Sequence, residues 1–383
     1  MPRRPDTEAR LRHLRGGTPP ALSSGGTPPQ RHNARTIAAL TGNPGCARRA
    51  VVDSAGVDKE LLARHAGFAT PFGQSPFAIT RGNVFEAQVK ADGCAELLRL
   101  LGDLLGPDLG AVGYTDLNSV DGREDAALRH AHSRTALADA AAEHDGGGTL
   151  LDHPLLRLDV AGQEVYLEPD LVAFRHAGVF HIIEIKSFPV IDGVADGAKV
   201  GAAAIQAAVY VLALRRTLDR PSAVSHNVVL VCPRDFSNAP VAALVDVRRQ
   251  LAVLEHQLAR LARVDALLDA LPPDLTLDLA VDATGAPTRP AAELVAALRQ
   301  VPARYAPDCL AACDLSYLCR DEARGTTAAL GASVREELGG VATVAEALGL
   351  AHGTLAPAAD QADAAALLRT AARVYAEARG VAG

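Results

Sequence analysis

The sequence has no tryptophan and a single methionine among its 383 residues, and aromatic residues make up only 4% of it. Hydrophobic residues nevertheless account for 49% of the chain, mostly as alanine, valine and leucine. A chain of this length can bury a sizeable core, as two or three domains or as one elaborated domain. The composition is that of an ordinary globular protein.

Long apolar runs are also lacking. No stretch of about eighteen uncharged apolar residues occurs, and the N-terminus has no hydrophobic signal core. We therefore expect a cytoplasmic protein with no membrane partner, in which cysteines stay reduced unless they bind a metal. The net charge of −7 argues against general coating of nucleic acid, although it is compatible with a local basic groove.

The two ends of the chain differ from its middle. Residues 1–32 combine several arginines with a repeated GGTPP sequence, which offers little apolar surface to bury. We predict a disordered basic arm there, acting either as a non-specific contact to nucleic acid or as a solvated tail. A main domain is predicted over residues 33–320. Short helical segments separated by glycines predict a small helical appendage over residues 321–383.

The most informative stretch lies near the middle of the chain. Segments 165–174 and 179–187 are rich in β-branched and aromatic residues, and the four residues between them are a turn signal. We predict a β-hairpin with a three-residue loop, in which Arg175 pairs with Val179. Residues 199–216 then form a helix, followed by a strand over residues 225–232.

This register brings three charged side chains to one face of the hairpin. Asp170 lies opposite Glu184, and Lys186 emerges on the same face because it is two residues further along. Facing carboxylates repel each other, and a divalent cation such as Mg²⁺ or Mn²⁺ would offset that cost. Such a site suits metal-assisted phosphodiester hydrolysis, in which lysine orients water and stabilises developing charge. The alternative is a chance arrangement of solvated charges.

Three motifs carry a resemblance to a known family. Pro169-Asp170 followed by Glu184-Ile185-Lys186 resembles the signature of the PD-(D/E)XK nuclease superfamily. QAAVY at 206–210 resembles the QxxxY motif of its RecB and Cas4-like branch, and residues four apart share one face of a helix. The resemblance implies an α/β restriction-endonuclease-like core, in which a mixed central sheet is flanked by helices, with helical elaborations and an iron–sulfur staple.

The resemblance also implies the roles of individual residues. The implied catalytic residues are Asp170, Glu184, Lys186, Gln206 and Tyr210. The implied ligands of Mg²⁺ or Mn²⁺ are Asp170, Glu184, the backbone carbonyl of Ile185 and, as a further candidate, Glu86.

Glu86 enters through RGNVFE at residues 81–86, which resembles the first-helix motif of these nucleases. Many RecB-like members have a histidine at the matching position, whereas no histidine stands in this helix. The alternative is that Glu86 is a charge on the outer face of a helix.

The second informative group is cysteine. Half of the six cysteines fall within eleven residues near the C-terminus, which favours a metal site over disulfides in the cytoplasm. With one distant cysteine they resemble the [4Fe–4S] staple of Cas4 and AddB-type nucleases, although the spacing is C-x₃-C-x₅-C rather than C-x₂-C-x₅-C. Zinc, or no metal, is the alternative. The implied ligands are Cys46, Cys309, Cys313 and Cys319.

The remaining cysteines, Cys94 and Cys232, lie in apolar segments and are predicted to be buried as small hydrophobic residues. The family resemblance implies DNA as the substrate, cut as single strands or from ends, in repair, recombination or phage defence. No phosphate-binding loop of the GxxxxGK[ST] type is present, so any unwinding requires a helicase or defence-system partner. The rival readings are a catalytically inactive iron–sulfur DNA-binding subunit and a zinc-stabilised structural protein.

Overall fold

The structure is a computed structural model, in which the chain folds into two compact units. Unit 1 consists of Met1–Pro5, Arg31–Thr41 and Gly73–Asp265, and unit 2 of Asp6–Gln30, Gly42–Phe72 and Ala266–Gly383. The residues that the structure describes are 5–16, 30, 32–40, 43, 45–69, 76–106, 112–118, 125–142, 148–160, 163–176, 178–235, 237–261 and 264–381.

Helices and strands alternate through unit 1, whereas the described part of unit 2 is mainly helical. The helices are α1 (Pro5–Arg15), α2 (Ala34–Ala39), α3 (Ala47–Ala55), α4 (Lys59–His65), α5 (Pro76–Val89), α6 (Ala91–Leu105), α7 (Ala126–Ala142), α8 (Gly197–Leu218), α9 (Arg248–Leu261), α10 (Val264–Asp269), α11 (Ala291–Arg299), α12 (Ser316–Glu322), α13 (Ala332–Glu337), α14 (Val344–His352) and α15 (Ala362–Val381). The strands are β1 (Val112–Asp116), β2 (Gly148–Asp152), β3 (Leu156–Val160), β4 (Gln163–Leu167), β5 (Leu171–His176), β6 (Val179–Ile185), β7 (Val190–Ile191), β8 (Val194–Ala195), β9 (Asn227–Pro233) and β10 (Pro240–Asp246).

The described strands of unit 1 build a central sheet in the order β1-β2-β5-β6-β9-β10. The pairs β1–β2 and β6–β9 are parallel and the others are antiparallel, so the sheet is mixed. Strands β3 and β4 form a separate hairpin, as do β7 and β8. The predicted α/β class with a mixed central sheet and helices is confirmed.

Alternation along the strands explains why helices cover both faces of the sheet. In β9, Val229 and Val231 join the apolar cluster formed with α5 and α6. Leu230 and Cys232 point the other way and pack in a cluster with Ala203 of α8. Successive strand residues face opposite sides, so β9 contributes to two cores. The predicted burial of Cys232 is confirmed, as is that of Cys94.

The predicted hairpin is correct near the site and wrong at its turn. His176 pairs with Val179, so two residues rather than three separate the paired positions. The register then shifts between Val172 and Phe174, and Leu171 pairs with Ile183 as predicted. A bulge adds one residue to one strand, and here it compensates for the shorter turn.

The prediction of one strand over residues 165–174 is also wrong, because this segment is divided between β4 and β5. Residues up to Leu167 belong to β4, which pairs with β3 instead of with β6. Proline cannot donate a ladder hydrogen bond, and Pro169 lies in the break between β4 and β5.

Helix α8 confirms the predicted helix and extends it by two residues at each end. By length and composition it could cross a membrane, but more than half of its apolar window is buried inside the protein. It packs against β3, β6, α2 and α9. It is therefore a core helix of unit 1.

Unit 2 brings together three segments that are distant in the sequence. The prediction of a disordered arm is wrong for α1, where Leu11 and Leu14 are buried and the Leu277 N–H donates to the Leu14 carbonyl at 2.7 Å. Apart from Gly16, the repeated GGTPP segments lie outside the described residues. In the predicted C-terminal appendage, α14 and α15 pack around Val341, Leu350 and Ala365.

Candidate active site and cysteine group

The three charged residues of the predicted site meet at one end of the central sheet in unit 1. Glu184 lies between Ile183 and Ile185, whose side chains belong to the α5 and α6 core, so its own side chain faces α8. The Lys186 Nζ lies 2.6 Å from Glu184 Oε2 and 3.7 Å from Asp170 Oδ2. The ammonium is therefore shared between the two carboxylates.

Glu184 is a buried acid whose charge is only partly balanced. Its side chain is 1% exposed, and Oε1 has no hydrogen-bond donor among the described residues. Burial, with the nearby charge of Asp170, raises the pKa of Glu184 to about 7 in spite of Lys186. A buried carboxylate without a full set of partners favours either a proton or a further cation.

The QxxxY pair lies on α8 beside these acids. The Gln206 amide donates to the Tyr210 hydroxyl at 3.1 Å, and that hydroxyl donates to the Glu168 carbonyl at 3.4 Å. Burial and the charge of Glu184 raise the pKa of Tyr210 well above its usual range, so the hydroxyl remains a hydrogen-bond donor. The helix thus brings Gln206 and Tyr210 close to the segment that carries Asp170.

Glu86 lies on α5, as predicted, and its nearest charged partner is a residue that the sequence did not indicate. The Lys90 Nζ lies 2.5 Å from Glu86 Oε1 and 2.7 Å from Asp152 Oδ1, and it donates to the Asp170 carbonyl at 3.0 Å. His153 Nε2 is 3.6 Å from Glu86. A second group of charges therefore adjoins the predicted site.

Asp152 is the centre of this second group. Its carboxylate accepts from the Tyr114 hydroxyl at 2.6 Å and pairs with the ring of His153 at 2.9 Å. Burial alone would raise the pKa of Asp152, but the hydrogen bonds from His153, Lys90 and Tyr114 lower it to about 2. His153 also has a left-handed backbone, with φ of +50°. Such conformations are uncommon outside glycine and recur at functional sites.

A sequence signal for Asp152 exists. It ends the buried strand β2, just as Glu184 and Lys186 lie at the end of β6. A carboxylate at the end of an apolar strand is costly to bury without a partner, and the partner is usually functional or an ion pair.

The donor set of the predicted site suits a divalent ion. Asp170 and Glu184 supply hard oxygen atoms, and the buried Oε1 of Glu184 lacks any protein donor among the described residues. No three His, Cys, Asp or Glu side chains in the described part of the chain converge as ligands of a single ion. Any ion there would thus need backbone or solvent oxygen as well, and the Ile185 carbonyl stays a predicted ligand.

The four predicted cysteine ligands all belong to unit 2. Cys46 is half-buried immediately before α3, and the other three are buried in the segment that includes α12. All four are free thiols. The chain folds the predicted group into one unit although about 260 residues separate Cys46 from the others in the sequence.

Polar side chains of unit 2 are directed at these sulfur atoms. The Asn43 amide donates to Cys309 Sγ at 3.0 Å, and the Arg48 guanidinium donates to Cys319 Sγ at 3.3 Å. Burial raises the pKa of the Cys319 thiol to about 12 despite Arg48. The Arg48 charge acts against burial and lowers the pKa of this thiol, so it would stabilise the thiolate that a metal ligand requires.

Comparison with known proteins adds little to this geometry. No known protein family matches the chain, and no curated protein matches it. Among solved structures, it is similar to the crystal structure of a "Putative exonuclease" from Eubacterium rectale, with 12% identity, coverage of 62% of this chain and 82% of that chain, and a TM-score of 0.30. Similarity at this level supports no conclusion about activity.

Proposed function

We propose that this protein is a Mg²⁺- or Mn²⁺-dependent deoxyribonuclease of the PD-(D/E)XK kind, similar to the RecB and Cas4-like branch. The observation that carries the proposal is the shared Lys186 ammonium, 2.6 Å from Glu184 and 3.7 Å from Asp170 at the end of one sheet. An ion pair alone would need one carboxylate. Two carboxylates, one of them with an unpartnered oxygen, suit an additional cation.

Each residue of the site has a distinct task in this proposal. Asp170 and Glu184, with the Ile185 carbonyl, hold the divalent ion, which polarises the phosphate and activates water when it is bound. Lys186 orients the attacking water and stabilises the charge that develops on the phosphate. Gln206 and Tyr210 position the substrate or the lysine.

The cysteines supply a second cofactor in the same proposal. A [4Fe–4S] cluster held by four thiolates distributes its ligands over four iron atoms, whereas zinc needs all four around one centre. The resemblance to Cas4 and AddB-type nucleases favours the cluster over zinc, since a zinc site more usually comes as two close CxxC pairs. The hydrogen bonds from Asn43 and Arg48 to two sulfur atoms suit anionic ligands of this kind.

The proposal is tested by cleavage of end-labelled single-stranded and double-stranded DNA with Mn²⁺, using anaerobically purified protein. Lys186→Ala should reduce the cleavage rate by about 10²–10³-fold, because the group that stabilises the transition-state charge is gone. The variant should still fold, since Glu184 can take up a proton when its pKa is already near 7. Lys199→Ala is the matched control, because Lys199 is exposed on α8.

Equal activity in wild type and Lys186→Ala would refute the proposed site. An inert but folded and brown wild-type protein would instead identify a catalytically inactive iron–sulfur subunit that binds DNA with a helicase or defence partner. A melting curve for each variant separates loss of chemistry from loss of fold.

A further inference from the structure

Lys90 lies beside the proposed site, and none of the roles given above involves it. Its side chain is 12% exposed and contacts three oxygen atoms, from Glu86, Asp152 and the Asp170 backbone. These oxygen atoms come from three separate elements of unit 1: α5, β2 and the residue before β5. A flexible lysine held by three acceptors has lost most of its conformational freedom, so its position is well defined.

The partners of Lys90 are themselves fixed. Asp152 is buried and also accepts from the Tyr114 hydroxyl at 2.6 Å, while His153 pairs with both Asp152 and Glu86. Burial by itself would lower the pKa of Lys90, but the hydrogen bonds to Asp152 and Glu86 outweigh it and raise the pKa. The ammonium is therefore charged over the physiological range and neutralises carboxylates that would otherwise repel each other.

We propose that Lys90 is a positioning residue. Its ammonium occupies the place where Glu86 would otherwise bind a second divalent ion. The active site then takes one divalent ion, bound by Asp170 and Glu184. The hydrogen bond from Lys90 to the Asp170 carbonyl fixes the backbone of that ligand. This inference rests on the proposed function, because it concerns the metal content of the same site.

The charges favour this arrangement. A divalent ion at either place would adjoin an ammonium, Lys90 at Glu86 or Lys186 at Asp170 and Glu184, so repulsion acts on both. An ion at Glu86 would, in addition, have to displace Lys90 from two carboxylates, those of Glu86 and Asp152. An ion at Asp170 and Glu184 meets a carboxylate oxygen that is still without a donor in the described part of unit 1.

The test is a titration of the full-length protein with Mn²⁺ alone, followed by electron paramagnetic resonance of the free ion and by thermal melting. Wild type and Lys90→Arg should bind about one Mn²⁺ per chain at the site, because both keep a cation between the carboxylates. Lys90→Met should bind about two, because Glu86 and Asp152 lose their cation and become ligands. Lys199→Met is the control and should match wild type.

Lys90→Met leaves two carboxylates facing each other, so it should melt at a lower temperature without metal. Saturating Mn²⁺ should raise its melting temperature by more than it raises that of wild type, since a bound ion stabilises only the folded state. A variant that only removed packing would not be rescued by the ion.

Two results would overturn the inference alone: two ions bound to an active wild-type enzyme, or one ion bound to Lys90→Met as well. A wild-type protein that cleaves no DNA and binds no Mn²⁺ would instead remove the proposed function, and the inference with it. The wild-type titration needs no variant, so the inference is testable even if Lys90→Met fails to fold.

Discussion

Asp152 shows how a single carboxylate near the site is held in its charged form. Its partners are Tyr114 of β1, Lys90 between α5 and α6, and His153, the residue after β2. Their hydrogen bonds outweigh the effect of burial and lower the pKa of Asp152 to about 2. The charged form therefore binds its surroundings more tightly than the protonated form does.

This pKa predicts a pH dependence of stability. Because it lies below the value of an unfolded aspartate, about 3.9, the stabilisation is complete above roughly pH 4 and is lost as the pH falls towards 2. Asp152→Asn should remove that component, which amounts to at most about 3 kcal/mol. Urea unfolding followed by circular dichroism at several pH values measures it. Asp139→Asn, at an exposed position on α7, is the control.

We expect the curves of unfolding free energy against pH to differ between wild type and Asp152→Asn. Wild type should lose more unfolding free energy than Asp152→Asn between pH 4 and pH 2, whereas Asp139→Asn should follow wild type. Parallel curves for wild type and Asp152→Asn would show that the surrounding hydrogen bonds do not favour the charged acid.

Strand alternation predicted that Asp170, Glu184 and Lys186 share one face, and the family resemblance added Gln206 and Tyr210. Strand alternation and the i, i+4 spacing of a helix act over a few residues, so a sequence displays them directly. The partnership of Lys90 with Asp152 joins residues that are 62 apart in the chain. No local sequence pattern predicts such a contact, and the only signal for Asp152 is its position at the end of strand β2.

At the scale of single elements, the β5–β6 hairpin illustrates two compensating errors. The predicted loop was one residue too long, and the predicted strands contained no bulge. Turn type and bulge both depend on how the strands twist against the neighbouring helices, which the residues between them do not specify. The pairing near Asp170 was still correct because each apolar side chain must face a core.

Helix α8, which carries Gln206 and Tyr210, has a defined start. Asp196 Oδ1 accepts from the Ala198 and Lys199 N–H groups at 2.9 and 3.1 Å. Asp196→Ala should cost about 1 kcal/mol, because two N–H groups at the helix start lose their acceptor. The melting temperature should fall by about 2–4 °C for a unit of this size.

Asp196→Asn is the matched variant, since its side-chain carbonyl can still accept both hydrogen bonds. It should therefore keep most of the wild-type melting temperature. If the alanine and asparagine variants melted together, the cap would contribute nothing and the stability of α8 would come from its buried face alone.

At the scale of the whole molecule, the division of the chain was the least predictable feature. Unit 2 is assembled from the first helix, residues around α3 and the C-terminal third of the sequence. Arginines and a repeated GGTPP marked residues 1–32 as disordered because they offer little apolar surface, yet Leu11 and Leu14 of α1 are buried. A short helix is stabilised mainly by its packing, and here hydrogen bonds from Arg10 and to the Leu14 carbonyl also join α1 to residues 272–277. No local pattern displays such a distant surface.

The same assembly places the four predicted cysteine ligands in one unit, where they could hold one iron–sulfur cluster. Anaerobically purified wild type should contain about four iron atoms per chain and absorb broadly near 400 nm, as a [4Fe–4S] protein does. Cys309→Ser and Cys319→Ser should each lose most of the iron and the colour, because each removes a thiolate that receives a hydrogen bond from Asn43 or Arg48. Cys232→Ala is the control, since Cys232 is buried in the sheet of unit 1.

Iron should also stabilise unit 2. Burial raises the pKa of the Cys319 thiol to about 12, so without metal this cysteine remains protonated beside the Arg48 guanidinium. Metal binding replaces that proton and gives Arg48 an anionic partner, and a ligand that binds only the folded form raises the melting temperature. Removal of iron by a chelator should thus lower the melting temperature of wild type and leave that of Cys319→Ser unchanged. A colourless wild type that contains zinc would contradict the cluster, and retention of iron by both serine variants would exclude these cysteines as its ligands.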